Sequence, residues 1–292
     1  MCPLFRASPL PLFEVQGLGV RQGEGKKPYK MEITEVRDED GNQATDLTDV
    51  ELLLKNQRNA LSLLDGDGDF RSRECIEFLK EADIVVTNPP FSLFREFVAQ
   101  LVEYDKKFII IGNVNAIGYK ETSKLIKNGQ VWLGPSIHSG DREFRVPDHY
   151  PLEAASFRVD ENGVKYLRVK GVRWFTNLDF KERHENITFY RRYNPKDYPR
   201  YVNYDAIEVP VTSDIPYDYP DEMGVPITFL DKFNPDQFEI IGSSGELAKP
   251  MSDIAEEGTY VKGGPSFYLA QEDGTYRRLY KRLVIKRKGA RQ

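Results

Sequence analysis

The chain has 292 residues, 40% hydrophobic and 12% aromatic, enough for a sizeable core in roughly two domains or one large α/β domain with insertions. Two cysteines (Cys2, Cys75) exclude a disulfide framework, and His138, His149 and His184 lack metal-ligand spacing. A net charge of −5 with pI near 5.5 excludes a globally basic nucleic-acid binder but leaves room for local basic surfaces.

Residues 1–27 are Pro-rich and then Gly-rich without a clear period. Met1 to Val15 is broken by Arg6 and three prolines, so it does not read as a secretory leader. No apolar run approaches the ~18 residues of a membrane span, and a cytoplasmic protein is expected. A strand pattern covers Tyr29 to Val36, an acidic loop Asp38 to Asp49, and a helical pattern Val50 to Leu64. Arg73 to Glu81 is a second helix with Ile76 and Leu79 three apart. The run from 83 to 87 reads as a buried β-branched strand. Ser92 then stands where a helix N-cap is expected, ahead of Phe94, Phe97, Val98, Leu101 and Val102 at helical spacing. Lys107 to Gly112 is another buried-looking strand, so 83–112 reads as a βαβ unit with parallel neighbours.

Beyond about residue 130 the runs shorten: Val131–Leu133, Phe157–Val159, Lys165–Lys170 and Val172–Phe175, with a turn at Glu161-Asn162-Gly163. Tyr190 to Tyr219 is rich in Tyr, Pro and Asp and reads as an irregular surface segment. A strand at Phe238–Ile241 follows. Basic clusters lie at Lys106-Lys107, Arg142 with Arg145, Lys181 with Arg183, Arg191-Arg192, and in the tail from Arg277 to Lys288.

Asn88-Pro89-Pro90-Phe91 directly follows the apolar strand. Proline cannot donate to a ladder, so the strand stops there, and the polar Asn and the aromatic ring are presented at its carboxyl end, where open α/β sheets carry their sites. An adenine exocyclic amine is a poor nucleophile because its lone pair is delocalised into the ring. If the Asn88 side-chain carbonyl and the Pro89 backbone carbonyl accept its two hydrogens, the nitrogen moves toward tetrahedral geometry, and preoriented dipoles stabilise its developing positive charge. Phe91 offers a stacking face for a base taken out of the duplex, worth about 1–3 kcal/mol. Alignment of amine and methyl is then the main catalytic task.

Asp69-Phe70 lies 19 residues before Asn88. An acidic residue followed by an aromatic, one βα unit earlier, suits a cofactor adenine: the carboxylate takes the amino group and the ring its face. An ordinary Asp/Gly turn is the plain alternative. Calcium is not expected. The Asp65–Asp69 run has Phe70 in its sixth position and Ile76 in its twelfth, and the 38–49 loop has Gln43 where the sharp turn needs Gly. No metal site is expected.

The stretches Gly66–Ser72 and Ala82–Glu96 resemble adenine-specific DNA methyltransferases of the EcoRI modification type. So do Lys106–Phe108, Ile111–Asn113, Trp132–Gly134, Trp174–Asp179 and Met223–Pro235, so the resemblance covers about residues 28–242. It implies an α/β, Rossmann-like methyltransferase sheet, incomplete at the N-terminus, with a β-rich target-recognition region. It also implies S-adenosyl-L-methionine as donor, double-stranded DNA as substrate and a restriction–modification or phage setting. Asn88, Pro89, Pro90 and Phe91 become catalytic, and Asp69 and Phe70 cofactor-binding. The expected organisation is an atypical segment 1–27, a partial catalytic core 28–133, target recognition within 134–220, and C-terminal strands with a basic tail over 221–292. Arg142 and Arg145 are the candidate DNA contacts.

The first 27 residues do not resemble the family, and only 68 residues precede Asp69, where a first strand and cofactor loop belong. Gly17-Leu18-Gly19 follows Pro9 and Pro11, which spoil a buried strand. An N-terminally truncated chain is therefore expected. Two rival readings are a DNA-binding remnant without a donor pocket, and a methyltransferase acting on another amine or amide, such as an RNA base or a protein glutamine.

Overall fold

The computed structural model describes residues 4–6, 28–33, 36–39, 41–42, 44–45, 49, 52, 61–135, 141–146 and 157–289. By its contacts the chain divides into two units, Met1–Thr87 with Glu103–Lys106, and Asn88–Val102 with Lys107–Gln292.

In the first unit β1 (Leu4–Arg6), β2 (Tyr29–Glu32) and β3 (Leu61–Leu63) form an antiparallel sheet in that order. The strand expected to reach Val36 ends at Glu32. The helix expected over 50–64 lies mostly outside the described residues. Its last turn is not helical: Leu61 and Leu63 pair with Met31 and Tyr29, because pairing with β2 overrides a weak local helical pattern. Helix α1 (Arg73–Glu81) has the predicted bounds. Ser72 caps it, its Oγ accepting from the Cys75 N–H at 3.2 Å. Lys106 Nζ donates to the carbonyls of Lys80 (2.7 Å) and Ala82 (3.1 Å) at its other end, where helix carbonyls lack partners. Strand β4 (Ile84–Thr87) follows. It is not the buried strand its β-branched run suggests: Ile84 is 48% and Val86 67% exposed. Burial on both faces needs cover on both. Here Ile84 and Val86 share the uncovered face, while Val85 and Thr87 are half-buried.

The second unit begins with a 3₁₀ turn, Phe91–Leu93, running into α2 (Phe94–Glu103). Phe94, Val98 and Leu101 fall on one stripe and are buried. Strand β5 (Lys107–Asn113) alternates, with Phe108, Ile110 and Gly112 buried. Its neighbour in this unit is β10 (Val172–Thr176), which is antiparallel, from Val172 opposite Asn113 to Thr176 opposite Ile109. This partner returns from far along the chain. Such a partner leaves no local signal. The short strand β6 (Trp132–Leu133) pairs with the same β10. The junction is fastened by side chains: Thr176 Oγ1 donates to the Phe108 carbonyl (2.6 Å), the Phe108 N–H donates to Asn177 Oδ1 (2.9 Å), and Trp132 Nε1 donates to the Leu178 carbonyl (3.0 Å).

Three further strands, β7 (Asp141–Arg145), β8 (Phe157–Val159) and β9 (Lys165–Lys170), form an antiparallel sheet with β9 central. The turn at Gly163 takes a positive φ of 78°, as its Asn-Gly signal requires. The last sheet runs β11 (Ile207–Glu208), β12 (Met223–Pro226), β16 (Arg282–Arg287), β13 (Phe238–Ser243). A hairpin of β14 (Tyr268–Ala270) and β15 (Tyr276–Arg278) precedes β16.

The Tyr-rich stretch 190–219 is irregular as predicted, yet it is not a surface segment. Tyr198, Tyr201, Ile207, Val209, Ile215 and Tyr219 are buried. Tyrosine can enter a core when its hydroxyl finds a partner: Tyr198 donates to the Asp214 carbonyl (2.7 Å), and Tyr201 to Glu208. Arg282 grips the same Glu208 bidentately, with a closest contact of 2.7 Å. A second buried ion pair joins Arg173 to Asp231 at 3.0 and 3.2 Å.

Among the described residues no helix is long and apolar enough to cross a membrane.

Candidate active site

Thr87 ends β4 and Asn88 opens the second unit. Asn88 is exposed, Pro89 buried, Pro90 exposed, and Phe91 43% exposed. Pro90 has extended torsions (φ −54°, ψ 129°), and its carbonyl accepts the Leu93 N–H at 2.9 Å. The chain therefore turns from extended to helical within two residues. Ser92 is not the helix cap its type suggests. It sits inside the 3₁₀ turn, which makes no side-chain capping bond. Two prolines leave Pro90 as the last extended residue, so helical geometry starts one residue before Ser92. Among the described residues the Asn88 amide has no hydrogen-bond partner, so its carbonyl and amino groups are both presented to a ligand.

What holds this turn is Phe94. Its ring meets that of Phe175 edge-on, centroids 4.9 Å apart, and lies directly over Gly112, where a Cβ would stand 2.4 Å from a Phe94 ring carbon. The motif thus rests on the buried side of β5 and β10 through the first residue of α2.

Nearby geometry adds residues that sequence reading passed over. The Arg95 guanidinium lies 5.5 Å from the centre of the Tyr119 ring, and Lys281 Nζ lies 5.7 Å from the same ring. Tyr119 follows the 3₁₀ turn Val114–Gly118 that leaves the carboxyl end of β5. Tyr280 donates its hydroxyl to Asn115 Oδ1 at 2.9 Å. The only sequence signal was the interleaving of Tyr and Arg/Lys from 276 to 282. Nothing local ties that run to residues 95–119.

Asp69 and Phe70 lie in the first unit, ahead of α1. The Asp69 carboxylate accepts the Arg71 backbone N–H (2.8 Å) and the Arg71 guanidinium bidentately, Nε at 3.0 Å and Nη2 at 2.8 Å. The same guanidinium stands 5.2 Å from the Phe70 ring centre. A carboxylate and an aromatic face are therefore adjacent, with Arg71 set against both.

Arg142 and Arg145 lie on β7 and are exposed. They are three residues apart on a strand, so they point to opposite faces of its sheet. Arg142 is opposite Val169, and Arg145 is opposite Tyr166. On the Arg145 face, Arg158 stacks 4.5 Å from Tyr166 and pairs bidentately with Glu143, a hydrogen bond that holds the Glu143 carboxyl below its ordinary pKa.

The strings at Trp174–Asp179 and Met223–Pro235 serve structure. They supply the Thr176 and Asn177 fasteners, Asp231 with its side chain 8% exposed, and the buried Asn234, which donates to the Glu185 carbonyl at 3.1 Å and accepts from the Asp236 N–H at 2.7 Å.

Residues 2–288 match the family described as adenine-specific methyltransferase EcoRI, so the match includes the Pro- and Gly-rich first segment. The chain is 56% identical over 178 residues to the type II methyltransferase M.EcoRI of Escherichia coli, covering 60% of this chain and 55% of that protein. It is 39% identical over 232 residues to M.MpnI of Mycoplasma pneumoniae, and 37% identical over 234 residues to M.MgeORF184P of Mycoplasma genitalium. Each of these two matches covers 77% of this chain and 70% of the relative. The chain thus aligns with little more than half of the length of M.EcoRI. No solved structure gives a significant match. With the family match running nearly end to end, the chain belongs to the EcoRI family of adenine-specific methyltransferases.

Proposed function

We propose that the chain methylates the exocyclic amine of adenine in double-stranded DNA, as the M member of a type II restriction–modification pair or its phage equivalent. The observation that carries this reading is the presented Asn88 amide on a Pro-Pro turn, beside an exposed Phe91 and anchored by Phe94. Asn88 and the Pro89 carbonyl accept the two amino hydrogens. The lone pair is then released from the ring, and the charge developing on nitrogen meets dipoles that need not reorganise. Pro90 stiffens the turn, and Phe91 stacks on the extruded base. No strong general base is needed.

S-adenosyl-L-methionine supplies the electrophilic methyl group when bound. Asp69 and Phe70 fit its adenine in chemistry, as acceptor and stacking face, with the Arg71 guanidinium yielding its place on Asp69. A Rossmann-like arrangement around the donor, target recognition within 134–220 and a cytoplasmic setting belong to the same reading. Of the two candidate DNA contacts, Arg145 is favoured, because it shares a face with Tyr166 and Arg158.

The test is direct. Incubation with methyl-labelled donor and a mixed-sequence duplex should place label in DNA as N6-methyladenine. Label in RNA or protein, or none in DNA, overturns the reading.

A further inference from the structure

We infer that Arg95, Tyr119 and Lys281 form a phosphate clamp for the DNA strand that flanks the extruded adenine. The inference rests on the adenine-methylation reading above.

Two cations are set against one aromatic ring, Arg95 at 5.5 Å and Lys281 at 5.7 Å from its centre. Cation–π attraction holds each in place, and it leaves most of their hydrogen-bonding capacity for another partner. The acid paired to Arg95 is Glu121, at 3.8 Å with both side chains 56% exposed, a contact that water and salt largely screen. Lys120 and Lys124 add exposed positive charge on the helix that starts beside Tyr119 (Lys120–Lys127). The patch is therefore cationic within an acidic protein.

Its position is the second observation. Arg95 follows Phe91 by four residues, which on a helical turn puts the two side chains on the same side, and both are exposed. Tyr119 stands just past the carboxyl end of β5, the end at which α/β sheets bind ligands.

Preorganisation is the third. The Lys281 stem lies along Gly118, where a Cβ would come within 2.5 Å of Cδ and Nζ. On either side, Tyr280 is tied to Asn115 and Arg282 to Glu208. A lysine held in this way loses little rotamer freedom on meeting a phosphate. The ring itself is partly exposed and closes the clamp as an apolar wall beside the sugar.

The experiment is the salt dependence of duplex affinity for the wild-type chain, for Arg95→Gln with Lys281→Gln, and for the charge-keeping pair Arg95→Lys with Lys281→Arg. Each lost phosphate contact lowers the slope of log K against log salt by about 0.9. Between 50 and 200 mM salt, then, the wild type should lose about 12-fold more affinity than the double glutamine variant. The charge-keeping variant should follow the wild type, and donor affinity should not change in either variant. Equal slopes in wild type and double glutamine variant overturn the clamp while leaving adenine methylation intact. A wild-type chain that neither binds nor methylates DNA overturns the clamp and the reading beneath it.

Discussion

Gly112 and Phe94 touch so closely that no side chain fits between them: a Cβ on Gly112 would stand 2.4 Å from the Phe94 ring and 2.8 Å from that of Phe175. Both rings are fully buried, so neither can swing away. Gly112→Ala is expected to destabilise the chain by about 1–3 kcal/mol by overpacking, although glycine to alanine in a strand otherwise helps. Because Phe94 carries the Asn88–Phe91 turn, methyl transfer should fall as well. A urea midpoint unchanged or raised in the variant would contradict this packing.

The Arg173–Asp231 pair is nearly inaccessible, with side chains 4% and 8% exposed. Arg173→Met removes the bidentate partner of a buried carboxylate, and a loss of about 3–5 kcal/mol is expected. Replacing both members with apolar residues of similar size should recover much of it. Chemical denaturation of the single and double variants decides the point.

His184 sits between two carboxylates, with Nδ1 2.6 Å from Asp236 and Nε2 3.0 Å from Asp179. The hydrogen bonds to Asp236 and then Asp179 raise its pKa, and the bonds from His184 and Arg183 lower that of Asp179. The histidine's contribution is full below its ordinary pKa of about 6.5 and fades as pH rises through the raised folded value. The Asp179 contribution is full above the ordinary carboxylate range and fades as pH falls through the lowered one. Wild type and His184→Gln should therefore differ most in Tm near about pH 5–6 and converge as pH rises through the raised folded value. A gap that widens toward alkaline pH would refute the bridge.

Asp69 and Phe70 are expected to act on the donor and not on DNA. Phe70→Ala should weaken S-adenosyl-L-methionine binding about ten-fold, within the 1–3 kcal/mol range of stacking on an aromatic ring. Asp69→Ala should weaken it too. Arg71→Ala should leave binding intact or tighten it, since the guanidinium occupies the Asp69 carboxylate. Calorimetric titration of the three variants, with duplex affinity as control, separates donor binding from DNA binding.

Local period explains what could be read from the residues alone. Helix Arg73–Glu81 and the strands at Ile84, Lys107, Phe157, Lys165, Val172 and Phe238 were legible because alternation or helical spacing is a property of a few neighbouring residues. The Asn88–Phe91 turn was legible for the same reason. What failed depended on distant partners. The exposed face of Ile84 and Val86 depends on cover, which residue type does not fix. The antiparallel β5–β10 pairing joins Asn113 to Val172. The buried tyrosines at 198, 201 and 219 read as surface because their hydroxyl partners are not local in sequence. Arg142 and Arg145 looked like one basic cluster, yet strand parity places them on opposite faces. The cations against Tyr119 come from positions 95 and 281, which no window along the sequence brings together.

The central claim is that Asn88 makes the amine reactive, and its exposed side chain, unpartnered among the described residues, makes substitution there clean. Labelled-methyl incorporation into duplex DNA by Asn88→Ala, with donor and DNA affinities measured alongside, tests it most directly. The expected result is a loss of about 10²–10³-fold in turnover, the usual effect of removing one preorganised dipole, with both affinities kept. Undiminished incorporation by Asn88→Ala would contradict the account.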